Sequence, residues 1–279
     1  NVAIEAGTIC VVRVTNSAGE TALATNMSYV LVVAPDIYVS TNGGHKVPFA
    51  SWADAATNLN DAVDVALAGC TVHVSNGSYR ITKKIDLFSA VSIRGENGPG
   101  VTTVWRSSAD PRFGLFDLRD AGALVAGLTM TNGNLTGSSG AAILMSAGTV
   151  SNCVISKCLN EASYGGSITI SGGRMADCVV TNMAHWYPAV VLSGSALVED
   201  CRFVNSTASE QGFIRINGNA VVRRCRFSRI TENTPYVFVG GGGTLENSLI
   251  YSNSAFGTYM GVAGGLYVNG GRVVNCTVA

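Results

Sequence analysis

The sequence predicts an all-β fold: a right-handed, single-stranded parallel β-helix with a short capping helix at its N-terminal end. Three observations carry this expectation. A motif (apolar, two residues, Cys, one residue, apolar) returns every 23 to 28 residues through the second half of the chain. A strand with period-two alternation lies between its copies. Gly and Asn stand where such a coil has to turn.

The motif reads Val150-x-x-Cys153-x-Ile155, Met175-x-x-Cys178-x-Val180, Val198-x-x-Cys201-x-Phe203 and Val222-x-x-Cys225-x-Phe227. It continues as Leu245-x-x-Ser248-x-Ile250 and Val273-x-x-Cys276-x-Val278, and an earlier copy, Leu124 to Thr129, aligns with Gly127 at the Cys position. Such self-similarity marks a repeat architecture, and its variable spacing fits fixed strands joined by loops of differing length. The second strand of each period, as in Ser167 to Ser171, Phe213 to Asn217 and Gly265 to Asn269, alternates so that one face is buried and the other wet. Gly172-Gly173, Gly240 to Gly243 and Gly270-Gly271 follow these strands, where the chain reverses sharply. Asn132, Asn182, Asn205 and Asn253 follow the Cys position by four or five residues and suit left-handed turns.

Ahead of the coil, Trp52, Ala55, Ala56, Leu59, Ala62, Val63 and Ala66 fall at helical spacing. Ser51 is the expected N-cap and Asp54 the favourable acid of the first turn. This amphipathic stretch, residues 51 to 66, is expected to cover the first rung, whose open edge would otherwise template aggregation. Thr71 to Val74 and Ala90 to Ile93 read as early strands.

The 279 residues carry no net charge and only 13% are charged, which removes the electrostatic footprint of a nucleic-acid binder. Glycine is abundant (33) and proline scarce (6), as suits many short strands joined by tight turns. The longest apolar run, Tyr29 to Ala34, falls far short of the roughly 20 residues of a membrane span. The chain starts without Met and stops inside a repeat, at Cys276-Thr277-Val278-Ala279, which reads as a piece of a longer protein.

The segments Tyr38-Val39-Ser40-Thr41-Asn42-Gly43, Pro48-Phe49-Ala50-Ser51-Trp52, Gly69 to Val74 and Asn76-Gly77-Ser78-Tyr79 resemble the opening of bacterial right-handed β-helix repeat proteins of the pectin-lyase-like superfamily. Asn97 to Val104 is similar to their second rung, and polymorphic outer-membrane-protein-like repeats are more distant cousins. The resemblance covers about residues 37 to 279. It implies the solenoid fold and leaves function open, because the superfamily holds lyases, hydrolases, adhesins and uncharacterised surface proteins. Residues 1 to 34 differ. Glu5 to Gly19 resembles the last hairpin of an immunoglobulin-like domain, with Ile9 in place of the corner tyrosine and the partner Cys and Trp upstream. An ordinary β-hairpin cap is the rival. The expected domains are therefore 1–34 and 35–279.

Five of the eight cysteines share one inward repeat position. Stacked residues of a coil lie about 4.8 Å apart with parallel Cβ vectors, whereas a disulfide needs Cβ atoms near 3.8 Å. Buried free thiols are the expectation. No Cys pair has zinc spacing, and His45, His73 and His185 are scattered, so neither a metal nor another cofactor is expected. The alternating strand offers Asp117, Arg119, Thr169, Val191, Arg215, Phe238 and Tyr267 outward. A single carboxylate among these leaves no general acid–base pair, and no catalytic residue is assigned. Glu199, Arg223 and Glu246, and likewise Asp200 and Arg224, are expected to form vertical charge pairs. Arg202 over Arg226 is the one like-charged pair. Tyr164, Trp186, Tyr187, Tyr236, Phe256 and Tyr259 precede the alternating strands. Together with Phe213, Arg215, Phe238 and Tyr267 they give the candidate ligand-binding flank, chiefly Trp186, Tyr187, Phe213, Arg215, Tyr236, Phe238 and Tyr267.

The resulting expectation is a non-catalytic extracellular or cell-surface module, stalk- or adhesin-like, that binds a polysaccharide or a host or matrix surface. The alternative is a polysaccharide lyase or glycoside hydrolase whose acids lie outside these residues.

Overall fold

The computed structural model describes residues 13–15, 21–23, 34–137, 139–160, 165–185, 187–208, 212–232, 236–255 and 265–279. Two compact units are present, Asn1–Ala34 and Pro35–Ala279. In the first, Arg13–Thr15 pairs antiparallel with Thr21–Leu23. Ile9 and Cys10 of the expected hairpin lie outside the described residues.

The second unit is a parallel β-solenoid of about seven turns. Three sheets of ten, eleven and eight strands run its length. Strands of three residues bury their central residue in the ten- and eleven-stranded sheets, as in Thr149–Ser151 and Val154–Ser156. In the eight-stranded sheet the two flanking residues are buried and the central one faces out, as in Ile168–Ile170. The inward residues stack in columns. Val125, Val150, Met175, Val198, Val222 and Leu245 form one. Phe203 lies flat on Phe227, 4.8 Å between centroids and 5° between planes.

Parallel register corrects one alignment. Val125 pairs with Val150 and Thr129 with Val154, so Leu128, fully buried, takes the Cys position. Gly127 takes the corner held by Asn152 in the next turn, both with positive φ (72° and 48°). The apolar pattern around Gly127 hid the shift of one residue. Asn132, Asn182 and Asn205 hold the other left-handed corner, but in the later turn Ser252 holds it (φ 52°). Asn253 instead bonds the rung below, accepting from Ile230 N and donating to Phe227 O.

The cap also differs from expectation. The helix spans only Leu59–Val65, with Asn58 as N-cap accepting from Asp61 N. Ser51 accepts from Asp54 N at 3.2 Å, but this closes a turn and begins no helix. The reason is competition for backbone. Ala53 accepts from Gly44, Asp54 from Lys46 and Ala55 from His45, and Ala56 exchanges hydrogen bonds with Tyr38 and Ser40. Pairing with the edge strand Asp36–Val39 satisfies groups that a longer helix would have used internally. Trp52 accordingly leaves the apolar face, 44% exposed and edge-on to Tyr38. Asn60 ties the helix to the next turn by accepting from Thr82 N and donating to Lys83 O. The strand expected at Ala90 to Ile93 begins later, at Ser92–Gly95. Among the described residues no helix is long and apolar enough to cross a membrane.

Charge columns lock the register of the ten-stranded sheet. Buried Glu199 receives Arg174 (2.5 Å), Arg223 (2.7 Å) and Arg224 (2.7 Å), and Asp200 receives Arg224 (2.7 Å). The expected Glu199–Arg223 and Asp200–Arg224 pairs are present. Arg223 turns to Glu199, and among the described residues no ion pair joins it to Glu246. Desolvation opposes ionisation of Glu199, but the three guanidinium groups outweigh it and hold the carboxyl down to about 2.

Candidate functional site

The exposed face of the eight-stranded sheet is built from two outward columns. Central residues of successive strands stack as Asp86, Asp117, Leu144, Thr169, Val191, Arg215, Phe238 and Tyr267. Two residues further on, the strand ends place Phe88, Arg119, Ser146, Ser171, Ser193 and Asn217 beside them, through rung-to-rung bonds such as Arg119 N to Leu87 O and Ser171 N to Met145 O. A largely aliphatic track, Leu144 and Val191 with Thr169 between them (its hydroxyl donating to Gly166 O), thus runs beside a hydroxyl and amide track.

A charged group closes the N-terminal end of this face. Asp117 has a side chain only 1% exposed, yet it meets Lys84 Nζ at 2.8 Å and the Arg119 guanidinium at 2.8 and 3.0 Å. Lys84 also meets Asp86 at 3.1 Å. The Arg119 guanidinium lies 4.5 Å over the ring of Phe88, which is 53% exposed. Burial pulls the Asp117 carboxyl upward, but Arg119 and Lys84 prevail and hold it below the usual carboxylate range. Burial likewise opposes protonation of Lys84, and its two carboxylate partners raise it regardless. Asp117 therefore stays ionised with both oxygens engaged, which unfits it as a proton donor.

This corrects the expectation of a single carboxylate on the face. Asp86 stands directly before Asp117 in register. The strand Ile85–Leu87 precedes every recognisable motif copy and is only three residues long, so its alternation carries little signal on its own. Lys84 and Phe88 were missed for the same reason.

At the other end, Arg215, Phe238 and Tyr267 point outward as expected. The Arg215 guanidinium lies 4.8 Å from the Phe238 centroid, and Phe238 and Tyr267 rings are 5.3 Å apart at 32°. Phe213 and Tyr236 do not join them. They are 0% and 2% exposed, and Phe213 packs edge-on against Phe203. Each immediately precedes an inward strand residue at a bend of the coil. Two consecutive side chains face inward there, as with Ala142-Ile143 and Ala189-Val190. Tyr187 is half-buried. Trp186, Tyr164, Phe256 and Tyr259 lie outside the described residues.

The three histidines stay apart. His73 bridges Asp36 and Glu96 at 2.8 Å each. His45 meets Asp61 at 3.2 Å. His185 is buried beside Ser167 and the Cys158 carbonyl, and burial lowers it to about 4. Among the described residues no group of three or more His, Cys, Asp and Glu side chains is arranged to hold a metal ion. The seven described cysteines are free thiols, and six are buried.

Among curated proteins none matches this sequence. Solved structures do. The pectin methylesterase from Aspergillus niger is 12% identical over 91% of this chain and 88% of its own, with a TM-score of 0.55. Its deglycosylated form gives 12%, 88%, 86% and 0.50. The pectin methylesterase PemA from Erwinia chrysanthemi gives 11%, 77%, 80% and 0.48. The Aspergillus likeness is one of fold. The model of the right-handed β-helix region matches residues 139–279, half of the chain. With the parallel register running unbroken through those residues, the chain belongs to the right-handed β-helix family.

Proposed function

We propose that this chain is a carbohydrate-binding β-helix module that works outside the cell and lays a polysaccharide along its eight-stranded sheet. One observation carries the reading: an aliphatic track and a hydroxyl and amide track run side by side between a charged end and an aromatic end. Sugar rings offer apolar faces and hydroxyl edges together, and such a strip meets both. Eight strands at about 4.8 Å spacing make it about 34 Å long, enough for an extended oligosaccharide. The Aspergillus structure of like fold is by its name an enzyme of pectin, which makes pectic glycans the first class to try. The ionised, doubly engaged Asp117 favours holding over cleaving. Residues 1–34, read as the end of an immunoglobulin-like domain or as a β cap, suit a stalk- or adhesin-like module.

A glycan array followed by calorimetry with pectic oligosaccharides tests this. Phe238→Ala with Tyr267→Ala is expected to weaken binding at least tenfold with unchanged melting. Wild-type affinity in that variant sinks the proposal. A second reading, carbohydrate esterase or hydrolase, draws on the adjacent Asp86 and Asp117. Methanol or reducing-end release from methylated pectin, lost in Asp117→Asn, would establish it instead.

A further inference from the structure

The eleven-stranded sheet carries a second feature, independent of the glycan strip. Arg202 and Arg226 are direct partners in parallel register, both exposed, one rung apart. Like charges stacked this way repel. Of the acids one corner away, Glu199 is engaged by three arginines and Asp200 by Arg224, while Asp177 and Glu246 stand at that corner in the rungs on either side. Among the described residues no carboxylate pairs with Arg202 or Arg226. Their column is flanked by Val179 on one side and Leu249 on the other, so no counter-charge stands within the column itself. The run from Val222 to Arg229 holds Arg223, Arg224, Arg226 and Arg229 without an acid, in a protein of zero net charge. Arg229 is also exposed.

We infer that Arg202 and Arg226 form a binding site for a sulfate-type oxyanion. Two guanidinium forks about 4.8 Å apart at the backbone converge naturally on one group with three or more acceptor oxygens. Binding offsets the repulsion between the two stacked guanidinium groups, and the aliphatic neighbours Val179 and Leu249 admit an anion borne on a polymer.

Calorimetry of the full chain with sodium sulfate against chloride at fixed ionic strength is the test, run beside dextran sulfate and plain dextran. Saturable sulfate binding is expected, reduced at least tenfold in R202Q/R226Q and partly retained in R202K/R226K, which keeps the charge without the fork. Dextran sulfate binding with no dextran binding assigns the group to a sulfated glycan. Sulfate binding alone assigns it to the free anion. Unchanged affinity in R202Q/R226Q, or no saturable sulfate binding, overturns the inference. The Phe238→Ala, Tyr267→Ala variant should leave sulfate binding unchanged, so this outcome and that of the glycan strip are separable.

Discussion

At the residue scale, the Cys column is chosen for more than bulk. The residue before each Cys is left-handed: Asn152, Asp177, Asp200, Arg224 and Asn275 have φ between 48° and 56°. That corner turns the carbonyl two residues before Cys toward its side chain. Cys153, Cys178, Cys201, Cys225 and Cys276 Sγ lie 3.1 to 3.3 Å from those oxygens. Ser248 does the same at 2.8 Å. A small, mostly apolar donor fits the place, so Cys225→Ser should change stability by no more than about 1 kcal/mol in chemical denaturation. Thiolates are disfavoured here. The preceding thiol of the column, with burial, raises Cys178 and Cys201, and outside the column burial pushes Cys158 up to about 12. Native protein should therefore resist alkylation that unfolded protein accepts, read by intact mass. Strand phase is equally testable. Ile170→Asp or Ile216→Asp should cost about 4 kcal/mol or more, by burying an unpaired charge, while Thr169→Asp stays below about 1 kcal/mol. Equal losses of melting temperature would mean the phase is wrong.

At the element scale, His73 ties the first rung to later ones. Its two ring nitrogens each lie 2.8 Å from a carboxylate oxygen, of Asp36 and of Glu96, and its ring stacks on Tyr38 at 5.2 Å. A neutral imidazole has one N–H, so only the imidazolium serves both acceptors. Desolvation opposes the charge, but the two carboxylates outweigh it and raise His73 above 6.5. The sign follows from linkage: the clamp contributes fully below 6.5 and is lost as pH rises through the raised folded value. Amide exchange in Asp36–Val39 should therefore accelerate over that window, after correction for intrinsic rates. His73→Gln should remove the pH dependence, and an unchanged profile in that variant would refute the clamp.

At the scale of the whole molecule, the first rung of the solenoid is covered. Phe49 and Ala56 accept from Tyr38 and Ser40, while the side chains of Phe49, Ala55, Ala56, Leu59 and Ala62 are buried. Deleting residues 45 to 66 uncovers both the edge strand and that apolar layer. The shortened chain should aggregate, and a monodisperse monomer by light scattering would deny the cap its role.

The sequence by itself determined the architecture, because a coil repeats one physical problem in every turn. Inward Val, Ile and Cys at fixed offsets, with Gly or Asn at the corners, leave a period that survives without any neighbour in view. It likewise set Arg215, Phe238 and Tyr267 outward, since alternation in their strands is unambiguous. Tertiary structure alone decided the rest. Whether Phe213 and Tyr236 turn in depended on a bend that buries two successive side chains. Asp86 became a partner of Asp117 only through register across a 31-residue gap. The cap helix was shortened because the backbone of residues 53 to 56 gains more by completing an edge strand than by extending a helix, and no periodicity in the sequence reports that competition.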